Sequence, residues 1–171
     1  TRVRQRIYAV MRMTVTPARA RAILVFSLLT IAGSSIPSAQ TAGRWMIAAT
    51  LTASNAGEDD HLGAGNALTG ASLGLSRDGR TLAVAAPHED SDARGVNGNQ
   101  RNDSAFDSGA VYVFTQSGSN WVQQAYLKAS NAASGDQFGF AVALSGDGNT
   151  LAVASNFEDS GATGINGNQN D

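Results

Sequence analysis

Cysteine is absent from the sequence, and histidine occurs only twice, at His61 and His88. Without thiols there is no disulfide framework, no thiolate zinc site and no cysteine nucleophile. Two histidines cannot build a histidine-rich metal centre. No P-loop, nucleophile elbow or dinucleotide-binding glycine pattern occurs. Proline appears three times, and no acidic residue precedes Glu58. The total of 12 basic and 14 acidic residues, net −2, argues against a nucleic-acid binder. What remains is 42% hydrophobic, enough for a packed core, in 171 residues. That length suits about one domain of roughly 100–200 residues.

The charge total hides two unlike pieces. Residues 1–39 carry Arg2, Arg4, Arg6, Arg12, Arg19 and Arg21 and no acid, hence +6. The remainder has six basic and 14 acidic residues, hence −8. Behind the arginines lies an apolar run, Ala22–Ala32, then the small and breaking residues of Gly33–Ala39. A basic region, a short apolar region and a small-residue tail predict a secretory signal peptide. The run is well short of the about 20 apolar residues a membrane span needs. Residues 1–39 are therefore expected to be a leader, with Met11 or Met13 as plausible starts and Ala39 as a candidate cleavage position. An uncleaved anchor is the competing reading. The protein is expected to be secreted or held in the cell envelope, with no membrane span after signal cleavage. Its acidity suits cation-rich extracellular surroundings.

The body repeats itself. Arg44–Gly63 aligns with Asn120–Gly139 at an offset of 76, matching Trp45 with Trp121, Asn55 with Asn131, Asp60 with Asp136 and Gly63 with Gly139. Leu75–Ala85 aligns with Leu144–Ala154 at an offset of 69, and Glu89–Gln100 follows with Glu158–Gln169. The first copy thus carries seven extra residues, near Ala64–Gly70. A first repeat over 40–119 and a second over 120–171 are expected. The second stops at Asp171, whose counterpart Asp103 is followed by Ser104–Phe114, so the chain is expected to end inside a repeat.

Each unit reads as four strands. They are Trp121–Ala129, Phe138–Leu144 with its period-2 alternation, Thr150–Ala154, and Ala110–Phe114, the last seen only in the first copy. Ser76–Gly79 and Ser145–Gly148 fill the second-to-third turn, where Asp-Gly offers positive-φ positions. A long polar loop, Pro87–Gly109, joins the third strand to the fourth. Outside the leader no segment has a helical period, so the class is all-β. Repeated four-stranded antiparallel units indicate β-propeller blades, which need neighbours to bury both faces. Fewer than two blades cannot close a ring.

Phe138-Gly139, Leu82–Pro87 and Ser108–Phe114 resemble the FG-GAP repeats of integrin alpha-chain propellers. They are closer still to bacterial secreted FG-GAP proteins, over roughly residues 44–171. The resemblance implies a seven-bladed propeller in a longer protein, of which this sequence is a fragment with neighbouring blades missing. It also implies an extracytoplasmic location and a binding or adhesive role. The first copy departs from the pattern in placing Leu62 where Phe belongs, so its opening strand is expected to be irregular or edge-like. The family's calcium hairpin has the form D-x-[DN]-x-D-G-x-x-D. Only the Asp-Gly of Asp78-Gly79 and Asp147-Gly148 matches it. Ala143 and Ser145 stand where two ligands belong, and one carboxylate falls far short of the 6–8 oxygens calcium prefers.

The polar loop is the better calcium candidate. Glu89, Asp90, Asp92, Asn97, Asn99 and Asp103 lie within it, and Glu158, Asp159, Asn166 and Asn168 repeat much of the set. Carboxylates and amide carbonyls suit a hard cation. The alternative is that these residues order the loop through side-chain-to-backbone hydrogen bonds. No other cofactor is expected. Glu58-Asp59-Asp60 reads as a solvated run, neither histidine recurs in the second copy, and Trp45 and Trp121 read as packing residues. The expected function is non-enzymatic binding of an extracellular protein or glycan, with no nucleic-acid partner. An accessory propeller of a larger secreted hydrolase, or envelope scaffolding without a ligand, are the alternatives.

Overall fold

A computed structural model describes residues 49–64 and 72–169. The leader, Trp45 and all of the seven-residue insertion except Ala64 lie outside the described residues. Within them the chain is all-β, with no helix. Six strands follow in order: β1 Leu73–Leu75, β2 Thr81–Ala86, β3 Ala110–Ser117, β4 Asn120–Leu127, β5 Ala141–Leu144 and β6 Leu151–Ala154. The first four form one antiparallel sheet in the order β1-β2-β3-β4, and β5 pairs with β6 in a second. Antiparallel sheets of four and two strands are what the expectation of incomplete β-propeller blades requires.

Strand β2 shows why the sheet is buried on both sides. Alternate residues of a strand face opposite ways. Leu82, Val84 and Ala86 enter a core with Tyr112, Phe114 and Tyr126. Ala83 and Ala85 join Val111 and Val142 on the other face. Segment 49–64 covers the first face through Leu51, Ala53 and Leu62. The β5–β6 pair covers the second through Val142, Leu151 and Val153. The small residues on that second face let the layers approach closely. A Cβ on Gly74 would lie 2.9 Å from Cβ of Leu144.

The sheet is out of phase with the sequence repeat. It takes three strands from the first copy and its outer strand from the second, because β3 and β4 are joined by the two-residue turn Gly118-Ser119. Their register runs from Ser117↔Asn120 to Val111↔Leu127, with a shift between Val113 and Phe114. The first copy's Leu51 and Ala53 lie in the core over the sheet's face.

Two local expectations need correction. The strand anticipated over Phe138–Leu144 begins only at Ala141. Gln137 and Gly139 take positive φ, at 54° and 94°, and the intervening Phe138 donates its N–H to Ser108 O instead of joining a ladder. In the Asp-Gly turns only the glycines, Gly79 and Gly148, have positive φ. The aspartates cap the turn instead: Ser76 Oγ and the Arg80 N–H both donate to Asp78 Oδ1, at 2.6 and 3.0 Å. Leu62 is buried in the core, and the first copy's strand after it, β1, is only three residues long.

Candidate functional site

Strand β2 ends at Ala86, and the chain turns through Pro87 and His88 to place Glu89 under the sheet, 1% exposed. Strand β4 ends at Leu127, and the next residue, Lys128, reaches the same place, 4% exposed. Nζ of Lys128 donates to Glu89 Oε2 at 2.8 Å and to Ser108 Oγ. Asn55 Nδ2 donates to the other carboxylate oxygen at 2.7 Å. The Tyr112 hydroxyl donates to Asn55 Oδ1 at 2.7 Å. Ser91 Oγ donates to Glu89 Oε2 and lies 2.6 Å from the Tyr126 hydroxyl. Ser108 Oγ donates in turn to Ser91 O at 3.0 Å.

Such a cluster survives burial only if every polar atom is met. Among the described residues no buried side-chain nitrogen or oxygen lacks a hydrogen-bond partner. Burial pushes the Lys128 ammonium below the ordinary lysine range, while Glu89 pulls it back up. Burial raises both tyrosines, and the negative charge of Glu89 raises them further. Lys128 is the only lysine in the sequence.

A second polar group borders this network. Asp60 is 5% exposed and accepts the Gly57 N–H at 2.6 Å. Burial raises its pKa from 3.8 to about 6, with Glu89, Asp90 and Asp103 adding to the rise. The reading of Glu58-Asp59-Asp60 as a uniformly solvated run is therefore corrected: Glu58 and Asp59 are exposed, but Asp60 is internal. The repeat carried the signal. Only Asp60 of the three recurs as an acid, as Asp136, which accepts the Ala133 N–H at 2.8 Å in the same way. Nearby, His88 Nδ1 lies 2.9 Å from Asp107 Oδ1, and the His61 ring stands edge-on to His88 with centroids 4.3 Å apart.

The calcium candidates do not converge in one place. Glu89 faces Lys128. Asp90 Oδ1 accepts the Asp107 N–H at 2.7 Å, and burial raises its pKa. Asp92 is exposed, and its N–H donates to Asn102 Oδ1. Asn97 clips β4: it donates its N–H to Tyr126 O at 2.7 Å and accepts the Tyr126 N–H on Oδ1 at 2.9 Å. Asn99 Oδ1 accepts the Arg101 N–H, and Asp103 is exposed. In the second copy Glu158 accepts from Asn131 and Ser160, while Asp159, Asn166 and Asn168 are exposed. Among the described residues no three histidine or acidic side chains are grouped so as to hold a metal ion. Sequence reasoning missed Lys128, Ser91, Ser108 and the two tyrosines as partners of Glu89. The one signal for Lys128 was its being the sole lysine.

Above the network opens a polar cleft of about 530 Å³. Ser54, Asn55, Glu58, Gln100, Arg101 and Asp103 line it. One side-chain contact across it, Ser54 with Gln100, recurs as Ser130 with Gln169. Of these lining residues Ser54, Asn55 and Gln100 recur as Ser130, Asn131 and Gln169, whereas Glu58 and Arg101 do not recur.

None of the curated proteins and none of the solved structures compared with the chain matches it. The model of the FG-GAP repeat family matches residues 121–169. That span begins at the tryptophan of β4 and holds β5, β6 and the repeated polar loop, so the all-β chain carries an FG-GAP repeat.

Proposed function

We propose that the chain is part of an extracytoplasmic FG-GAP propeller that binds an extracellular protein or glycan without catalysing a reaction. The observation that supports this most is the cleft rim. Its loops are ordered by their own asparagine, serine and glutamine side chains in both copies, so they present a fixed polar surface. Such pre-ordering lowers the entropy lost on binding. The lining donors and acceptors, together with Arg101 beside two exposed acids, suit hydroxyl-rich or charged polar ligands. The arginine-rich, acid-free leader is the basis for the extracytoplasmic part.

Calcium assistance is proposed for the outer loop alone, where Asp92, Asn99 and Asp103 are exposed. The test is a glycan and cell-surface ligand screen of the full chain, with and without chelator. Binding that is lost on Arg101→Ala or Asp103→Ala supports the proposal. Absence of binding to every ligand class would end it. A melting temperature indifferent to millimolar calcium removes the calcium part alone.

A further inference from the structure

An amine and a carboxamide meet on the two oxygens of one buried acid. Glu89 accepts the Lys128 ammonium on Oε2 at 2.8 Å and the Asn55 Nδ2 group on Oε1 at 2.7 Å. The Tyr112 hydroxyl donates to Asn55 Oδ1 at 2.7 Å, so the amide carbonyl is polarised from its far side. Ser108 Oγ accepts another hydrogen of the ammonium and fixes Nζ in place. Lys128 and Glu89 are buried, whereas Asn55 is half-buried and lines the polar cleft.

These are the parts of an amide-forming reaction. A nucleophile needs its proton removed, and burial favours the neutral forms of an acid and an amine. An electrophilic carbonyl needs a donor where negative charge develops on its oxygen. One acid that touches both the amine and the leaving amide nitrogen can move protons between them. Burial already draws the Lys128 ammonium below the ordinary lysine range.

We propose that Lys128 and Asn55 join through a side-chain amide bond, with Glu89 as the catalytic acid and base and Tyr112 as the donor to the reacting oxygen. Glu89 takes one proton from the ammonium, and Nζ leaves Oε2 for Asn55 Cγ. The Nζ–Cγ bond forms, and the carbonyl oxygen becomes an oxyanion held by the Tyr112 hydroxyl. Glu89 then passes its proton to Nδ2 and takes a second proton from Nζ. The Cγ–Nδ2 bond breaks, and ammonia leaves through the cleft. The products are a secondary amide, ammonia and a neutral Glu89, so charge and hydrogens balance. This is a single event within the chain, not turnover of a substrate. Until it occurs, the ion pair of Glu89 and Lys128 holds the network. All four strands of the larger sheet lie between Asn55 and Lys128 in the chain, so the bond closes a covalent ring around β1–β4. Such a ring restricts the unfolded chain, as a disulfide does in proteins that have cysteine.

The test is mass spectrometry of the purified full chain under denaturing conditions, after incubation folded at neutral pH. A mass lower than that of the unreacted chain by one ammonia is expected, with a branched peptide linking residues 55 and 128 after digestion. Glu89→Gln should abolish the loss. Tyr112→Phe, which keeps the ring in the core, should slow it about a hundredfold, as for removal of one oxyanion donor. An unreacted mass in the folded parent overturns the proposal. So does loss of water in place of ammonia, which would join Lys128 to Glu89 instead. A Tyr112→Phe chain that reacts at the parent's rate overturns it too.

Discussion

Replacing Lys128 by methionine keeps most of the side chain's unbranched length and removes its charge. In the native structure the two charged side chains are 0% and 2% exposed and 2.8 Å apart. Methionine leaves the Glu89 carboxylate buried with Asn55 and Ser91 as its remaining side-chain donors, and strips Ser108 of its donor. An uncompensated buried charge of this kind costs about 3–5 kcal/mol. Domains commonly have about 5–15 kcal/mol of stability, so the loss is a large share of the whole. The partner experiment is the double variant Lys128→Met/Glu89→Gln, which buries no charge. It forfeits chiefly hydrogen bonds, worth about 1 kcal/mol each. The double variant is therefore expected to be more stable than Lys128→Met alone. Urea unfolding followed by tryptophan fluorescence reads both, since Trp121 packs against the core that Tyr112 and Tyr126 share. A Lys128→Met variant within about 0.5 kcal/mol of the parent, the usual effect of a surface substitution, refutes the reasoning. So does a double variant whose loss equals the sum of the two single losses.

Asp60 gives a pH dependence of definite sign. Its folded pKa, about 6, is above the ordinary aspartate value of 3.8, so the folded state holds the proton more tightly across that interval. Its contribution is present at low pH and is lost as pH rises from about 4 through 6. Asp60→Asn should flatten the fall in melting temperature over that range, and an undiminished fall in the variant would show another group to be responsible. Two glycines separate crowding from backbone strain. Gly118→Ala at φ +60° meets no neighbour within 4 Å and should cost about 1–2 kcal/mol. Gly109→Ala at φ +79° would place a Cβ 2.2 Å from Phe138 O and should cost at least twice as much; equal losses would count against the close approach.

The strands at Leu82–Ala85 and Ala110–Phe114 were legible, the first because Leu151–Ala154 repeats it and the second as a short apolar run after the polar loop. The duplicated Asp-Gly turns and polar loop were legible because the sequence writes them twice. What the sequence hid was pairing across distance. Lys128 and Glu89 are 39 residues apart, and no local pattern marks a lysine as internal. Phe138 looked like the start of a strand because it alternates with Phe140, Val142 and Leu144. Its backbone is instead taken up by Ser108, in a contact set by how the two layers meet. Asp60 was masked by its exposed neighbours and recoverable only by asking which acid of the three the second copy keeps. The calcium candidates Glu89 and Asn97 had the chemistry of ligands, but one faces an ammonium and the other faces the edge of β4.

The central claim is that one sheet closes across the boundary between the two repeats, with β4 of the second copy completing the strands of the first. Amide hydrogen exchange on the full chain tests it most directly. Val111–Thr115 and Trp121–Tyr126 should be protected together and lose protection together when urea is added, while Leu151–Ala154 exchanges faster. Exchange of Trp121–Tyr126 at the rate of a freely exposed amide, with Val111–Thr115 still protected, would contradict the claim.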